Sequence, residues 1–192
     1  MKVTKIADFE PSKVQLDVVD GVVCFEPFRL LTEPMQLGYE VTLNKFGYYK
    51  LSLEPLEKAD VDSQTLNKVK AFDRAVCDAL SKYKKKADEH FHQSMWKSRI
   101  GQMFRGAHIQ IPLKPKHDVA LFESDGTEIT MDFGKLPQWL VKGLVVDVIV
   151  DVTGMYSFNG KYGLTIAPRG IRKSKVAKPP VGKPRILYAM FE

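Results

Sequence analysis

Cysteine is scarce in this chain: Cys24 and Cys77 are the only two in 192 residues. They lie far apart in apolar settings and read as buried thiols rather than a disulfide or a metal pair, which suits a reducing compartment. Long apolar runs are also missing. The longest, residues 143–150, is broken by Asp147 and falls well short of the ~20 apolar residues of a membrane span. The N-terminus opens with Lys2, Lys5 and Asp8 and has no apolar stretch of the secretory kind. The expectation is an intracellular protein without a membrane partner.

Catalytic signatures are equally sparse. There is no Cys-x-x-Cys pair, no phosphate-cradling Gly loop ending in Lys-Ser/Thr, and no Ser or Cys in a nucleophile-elbow setting. His90 and His92 follow a helical segment but lack partners at metal-ligand spacing. Asp147 and Asp151 are four residues apart on one strand, hence on one face. They read as acidic positions on a solvated face rather than as a Mg²⁺ pair. Neither an enzyme nor a cofactor is expected.

What the chain does have is segregated charge. The net charge is +6, yet residues 156–191 carry Lys161, Arg169, Arg172, Lys173, Lys175, Lys178, Lys183 and Arg185 with no Asp or Glu. Residues 93–116 carry Lys97, Arg99, Arg105, Lys114 and Lys116, again without an acid. The remainder is therefore net acidic, and such separation points to a surface that meets a polyanion.

The hydrophobic pattern is mostly of period two. Residues 13–26 read as a hairpin about Asp20-Gly21, residues 28–31 as an extended segment, and 40–43 and 47–54 as strands linked around Asn44. In the last of these Tyr49, Leu51 and Leu53 share a face. The period then changes: Leu66, Val69, Asp73, Val76, Leu80, Tyr83 and Ala87 predict an amphipathic helix over about 63–89. Residues 94–106 read as irregular, and strands follow at 107–113, 119–122, 128–133, 143–154 and 162–171. Phe158-Asn159-Gly160-Lys161 is a strong hairpin turn. The expected fold is α+β but mostly β: an OB-like antiparallel β-barrel over residues 1–175, elaborated by N-terminal strands and one long helix. Residues 176–192 read as a basic Pro/Lys-rich linker and an apolar tail.

Binding a single strand without sequence preference requires aromatic planes for stacking and cations that follow phosphates. Tyr156, Phe158, Lys161, Tyr162, Arg169, Arg172, Lys173 and Lys175 offer both within one hairpin, and Trp96, Lys97, Arg99, Phe104 and Arg105 repeat the mixture. These thirteen residues are the candidate nucleic-acid-binding set. Two competing readings stay open: a structural or interaction protein of a virion or host complex, with the aromatics as core or protein interface and the cations as mere flanks, and a binder of RNA or duplex DNA that uses the same charge.

Residues 104–175 resemble single-stranded DNA-binding proteins of large double-stranded DNA viruses and some phages. The resemblance rests on motif order: His108-Ile109-Gln110-Ile111-Pro112, the turn Ser124-Asp125-Gly126-Thr127, a Gly-led valine strand from Gly143, and the hairpin Gly154 to Leu164. Phe28-Arg29-Leu30, Tyr49-Lys50-Leu51-Ser52-Leu53 and Phe72-Asp73 extend it into the N-terminal half. It implies an OB fold and a strand-coating role in viral DNA replication, recombination or repair, with single-stranded DNA and viral replication proteins as partners. Met155-Tyr156 stands where that family carries an aliphatic residue followed by Trp, and the last residues form no acidic tail. The apolar tail suggests instead a homo-oligomer linked through residues 176–192.

Overall fold

The computed structural model describes residues 1–56, 64–82, 96–98, 107–158 and 161–176. Among these the strands are β1 (Val3–Lys5), β2 (Asp17–Val19), β3 (Val22–Cys24), β4 (Phe28–Leu31), β5 (Met35–Leu37) and β6 (Tyr49–Pro55). There follow β7 (Trp96–Ser98), β8 (Ala107–Leu113), β9 (Ala120–Phe122), β10 (Glu128–Ile129), β11 (Val145–Phe158) and β12 (Lys161–Lys173). The α-helices are α1 (Gln64–Ser81) and α2 (Leu136–Trp139). No helix among the described residues is long and apolar enough to cross a membrane.

Strands β12, β11, β5, β6 and β8 are hydrogen-bonded in that order, and β12 returns against β8. The ring so formed is a small barrel of the OB type, closed on one side by packing rather than by a ladder. Most pairings are antiparallel; β1 with β4 and β9 with β12 are parallel. The apolar alternation of the sequence lines the interior. Leu37, Leu51, Leu53, Ile109, Ile111, Val146, Val148, Val150 and Ile171 are all buried.

Two local devices bend this sheet. β4 and β5 both lie along β11, at Ile149–Val152 and Val145–Val146 respectively. Between them the Thr32 N–H donates to the Val148 carbonyl, and the Thr32 hydroxyl oxygen accepts the Val148 N–H, both at 3.0 Å. The side chain thus continues the ladder just before Pro34, which has no N–H to offer. On the other flank Pro168 stands opposite Val150 at a register shift, a place where a strand tolerates proline.

Helix α1 buries the stripe expected of it, with Val69, Phe72, Val76 and Leu80 inside. The Phe72 ring meets Phe9, Phe25 and Phe28 at centroid distances of 6.1, 5.3 and 5.1 Å, so the N-terminal segments are held by an aromatic cluster. The rest of the expected helix, and the tail from 177 onward, lie outside the described residues.

Several expectations need correction. Cys24 is exposed rather than buried, because Val23 takes the inward position on β3 and the pleat turns its neighbours out; Cys77 is buried. Residues 40–43 do not form a strand, only a bridge from Leu43 to Tyr49, and β5 takes the pairing edge. Residues 96–98, expected to be irregular, pair with β8 as β7. Between the strands expected at 128–133 and 143–154, Pro137 and Trp139 lie on the short helix α2, with the indole buried. The largest correction concerns Asp147 and Asp151. Both are buried rather than solvated, because arginines from flanking strands cover them.

Candidate nucleic-acid interface

The hairpin of β11 and β12 carries most of the expected site. Tyr156 is 37% exposed and stands directly across from Gly163, so the facing strand has no side chain to cover its ring. Its neighbour Met155 packs against the core, as strand alternation requires. Burial of the rest of the ring, with Asp73 of α1 nearby, pushes the Tyr156 hydroxyl above its ordinary pKa. Phe158 lies opposite Lys161, and Tyr162 opposite Ser157, at the end of the hairpin. Trp96 and Lys97 lie on β7, opposite Ile109 and His108. Arg99, Phe104 and Arg105 fall outside the described residues.

The cations of β12 are not isolated. Register places Asp151 across from Arg29 of β4, and Asp147 across from Arg172. The Arg29 Nε and Nη2 donate to the two oxygens of Asp151 at 2.6 and 3.0 Å, and the Arg169 Nε donates to the same carboxylate at 2.7 Å. Arg172 donates to Asp147 Oδ2 through Nε at 3.0 Å and Nη2 at 2.6 Å. The Asp151 side chain is 0% exposed, whereas those of Arg169 and Arg172 are 42% and 48% exposed. The carboxylates therefore grip the inner edge of each guanidinium and aim the outer N–H groups at solvent. Two arginines share Asp151, so that cluster retains one positive charge. The hydrogen bonds from Arg29, more than those from Arg169, hold Asp151 below the usual carboxylate range against the opposing effect of burial.

Further along β12, Lys173 Nζ lies 3.1 Å from Glu123 Oε1 and 5.1 Å from the centroid of the Trp139 ring. The Trp139 indole N–H donates to the same Glu123 oxygen at 2.9 Å. Lys173 is thus tied into a structural knot with α2, while Lys175 is exposed. Beside Arg29 and Arg169 a cleft of about 510 Å³ opens against β9 and β10, with Asp118 and Glu128 also in its wall.

A second basic and aromatic surface was missed by the sequence reading. The loop between β5 and β6 exposes Tyr39, Leu43 and Phe46, and Tyr48 is partly exposed beside them. The Phe46 and Tyr48 rings stack with centroids 6.3 Å apart and planes 14° from parallel. Lys45 Nζ sits 5.1 Å from the Phe46 centroid, and Lys114 Nζ 5.8 Å from that of Tyr48. The turn after β8 adds Lys116 and His117, whose Nδ1 accepts the Lys114 N–H at 3.3 Å. Burial, then the positive charges of Lys114, Lys116 and Arg169, lower the His117 pKa, so the imidazole is neutral near pH 7. The available signal was an acid-free run, residues 41–53, holding Lys45, Lys50, Phe46, Tyr48 and Tyr49.

No protein-family model and no curated protein sequence matches this chain. Its fold is similar to that of the single-stranded DNA-binding protein from bacteriophage Enc34. The TM-score is 0.51 and the identity 14%, over 90% of this chain and 96% of that one. A C-terminal truncation of the phage protein matches with TM-score 0.49 and 12% identity, over 90% of this chain and 98% of that one. Its complex with single-stranded DNA matches at 0.45 and 12%, over 87% and 98%. The likeness runs nearly end to end in both chains, and what it establishes is a shared, mostly β fold built on a mixed sheet of many strands.

Proposed function

We propose that this chain binds single-stranded DNA without sequence preference, coats it, and performs no chemistry on it. The observation that carries the reading is the partly exposed Tyr156 ring on the β11–β12 hairpin, continued along β12 by the outward guanidinium ends of Arg169 and Arg172. A ring that stacks bases beside cations that meet phosphates is the chemistry of sequence-tolerant strand binding. The fold shared with a phage single-stranded DNA-binding protein supports it. Phe158, Lys161, Tyr162 and Lys175 on the same hairpin, and Trp96, Lys97, Arg99, Phe104 and Arg105, complete the proposed surface. A role in viral DNA replication, recombination or repair inside the host cell belongs to the same proposal. So do a binding domain over 1–175 and self-association through 176–192.

Titration of fluorescein-labelled single-stranded oligonucleotides, with duplex of the same sequence as competitor, tests the reading. Single strands should bind and duplex should compete poorly; equal competition by duplex would remove the need for exposed aromatics and sink it. Tyr156→Ala should weaken binding by about 1 kcal/mol, roughly fivefold, the low end for a lost base stack because the ring is already half covered. Its melting temperature should change little. If the variant instead unfolds far earlier at unchanged affinity, Tyr156 is core.

A further inference from the structure

We infer that the turn at residues 43–49 is a second base-stacking platform, with Phe46 and Tyr48 as its planes and Lys45 and Lys114 as its phosphate contacts. The inference rests on the single-stranded DNA reading above and adds a site to it. The turn is built to present these rings. Asn44 Oδ1 accepts the backbone N–H of Phe46 at 2.8 Å and of Tyr48 at 3.3 Å. The Asn44 N–H donates to the Tyr48 carbonyl at 3.0 Å, and the Gly47 N–H donates to Asn44 O at 3.1 Å. Gly47 has φ +76°, a left-handed conformation that side-chain-bearing residues rarely adopt. One Asx turn therefore fixes the backbone under both aromatics before any ligand arrives.

A folded chain has no packing use for this arrangement. Phe46 is 72% exposed, the largest exposure among the aromatics described, and faces solvent with a lysine over its ring. Holding an apolar plane in water is unfavourable unless something covers it, and a nucleobase is a planar partner of matching size. The charge around it selects a polyanion. Among the described residues neither Lys45, Lys50, Lys114 nor Lys116 forms an ion pair with a carboxylate, in contrast to Arg169, Arg172 and Lys173. These lysines are thus free to exchange their counterions for phosphates. The charge of Arg169 also acts on His117 beside Lys114 and Lys116, so this basic turn and the β12 arginine share one electrostatic neighbourhood.

The test uses the full chain and labelled oligo(dT) of about 30 nucleotides. Phe46→Ala should bind roughly tenfold more weakly than wild type while melting at the same temperature, because the lost ring is exposed. Phe46→Trp should keep wild-type affinity. Its emission, after subtraction of the wild-type signal from Trp96 and Trp139, should be quenched as the oligonucleotide saturates. Replacing Lys45 and Lys114 by Gln together should reduce the slope of log affinity against log salt by about 1.4, at ~0.7 per contact. If wild type binds and Phe46→Ala binds equally well, or the added indole is not quenched, the platform is refuted and the single-strand reading stands. If wild type does not bind oligo(dT) at all, both fall.

Discussion

Raising salt from about 50 to 200 mM should weaken oligonucleotide binding roughly a hundredfold. Among the described residues of the two proposed surfaces, the cations that reach solvent include Lys45, Lys50, Lys114, Lys116, Arg169, Arg172 and Lys175. If about five phosphates are neutralised, the slope of log affinity against log salt is about −3.5, at ~0.7 per contact on a single strand. Over a fourfold change in salt that slope gives about two decades. Arginines already gripped by carboxylates release fewer counterions than free lysines, so the lysines should account for most of the slope. Fluorescence anisotropy across a salt series measures it directly. Affinity that is flat over this range would eliminate phosphate recognition and leave the cations as ordinary surface charge.

Asp151→Asn should destabilise the fold by about 2–3 kcal/mol, which for a chain of this size is a melting shift of roughly 5–10 °C. The substitution keeps the shape but removes the carboxylate charge that Arg29 and Arg169 share. Breaking a buried ion pair by removing one partner costs about 3–5 kcal/mol when the other charge stays buried. Here the arginine side chains are 26% and 42% exposed and can partly rehydrate, which places the effect at or below the lower edge of that range. The pH dependence has a definite sign. The folded-state pKa of Asp151 is depressed, so its contribution is complete above the unfolded carboxylate value near ~3.9 and disappears as pH falls through the depressed folded value. Wild type should therefore lose stability steeply below about pH 4, and the variant less steeply. Calorimetry on both proteins across pH 2.5–7, a range chosen to span ~3.9, would show it. A variant that melts with wild type at neutral pH would mean that the arginines pair elsewhere.

The same carboxylate shows where sequence reasoning stopped. An acid-free stretch predicts free cationic surface along the chain, but it says nothing of the acids that other strands bring across. Asp151 is 122 residues from Arg29 and 18 from Arg169, and only register brings the three together. The lysines of the β5–β6 loop and the turn after β8 illustrate the converse. Lys45 and the pair Lys114 and Lys116 lie in two segments far apart along the chain, yet Lys114 reaches over Tyr48 and Lys45 over Phe46.

By itself the sequence determined the class of fold and the position of most elements. The two-residue alternation of β6, β8 and β11, the stripe of α1 and the turn at Asp20-Gly21 are local patterns, and backbone geometry makes local patterns legible. Charge composition pointed to a polyanion for the same reason: it needs no coordinates. Only the tertiary structure decided which cations are committed and which aromatics are exposed. Phe72 and Phe46 are the same residue type, each in a stretch with lysines nearby. One is enclosed by Phe9, Phe25 and Phe28, and the other stands in solvent on an Asx turn. Burial and ion pairing depend on what the rest of the chain places opposite a side chain, and no spacing along the chain encodes that.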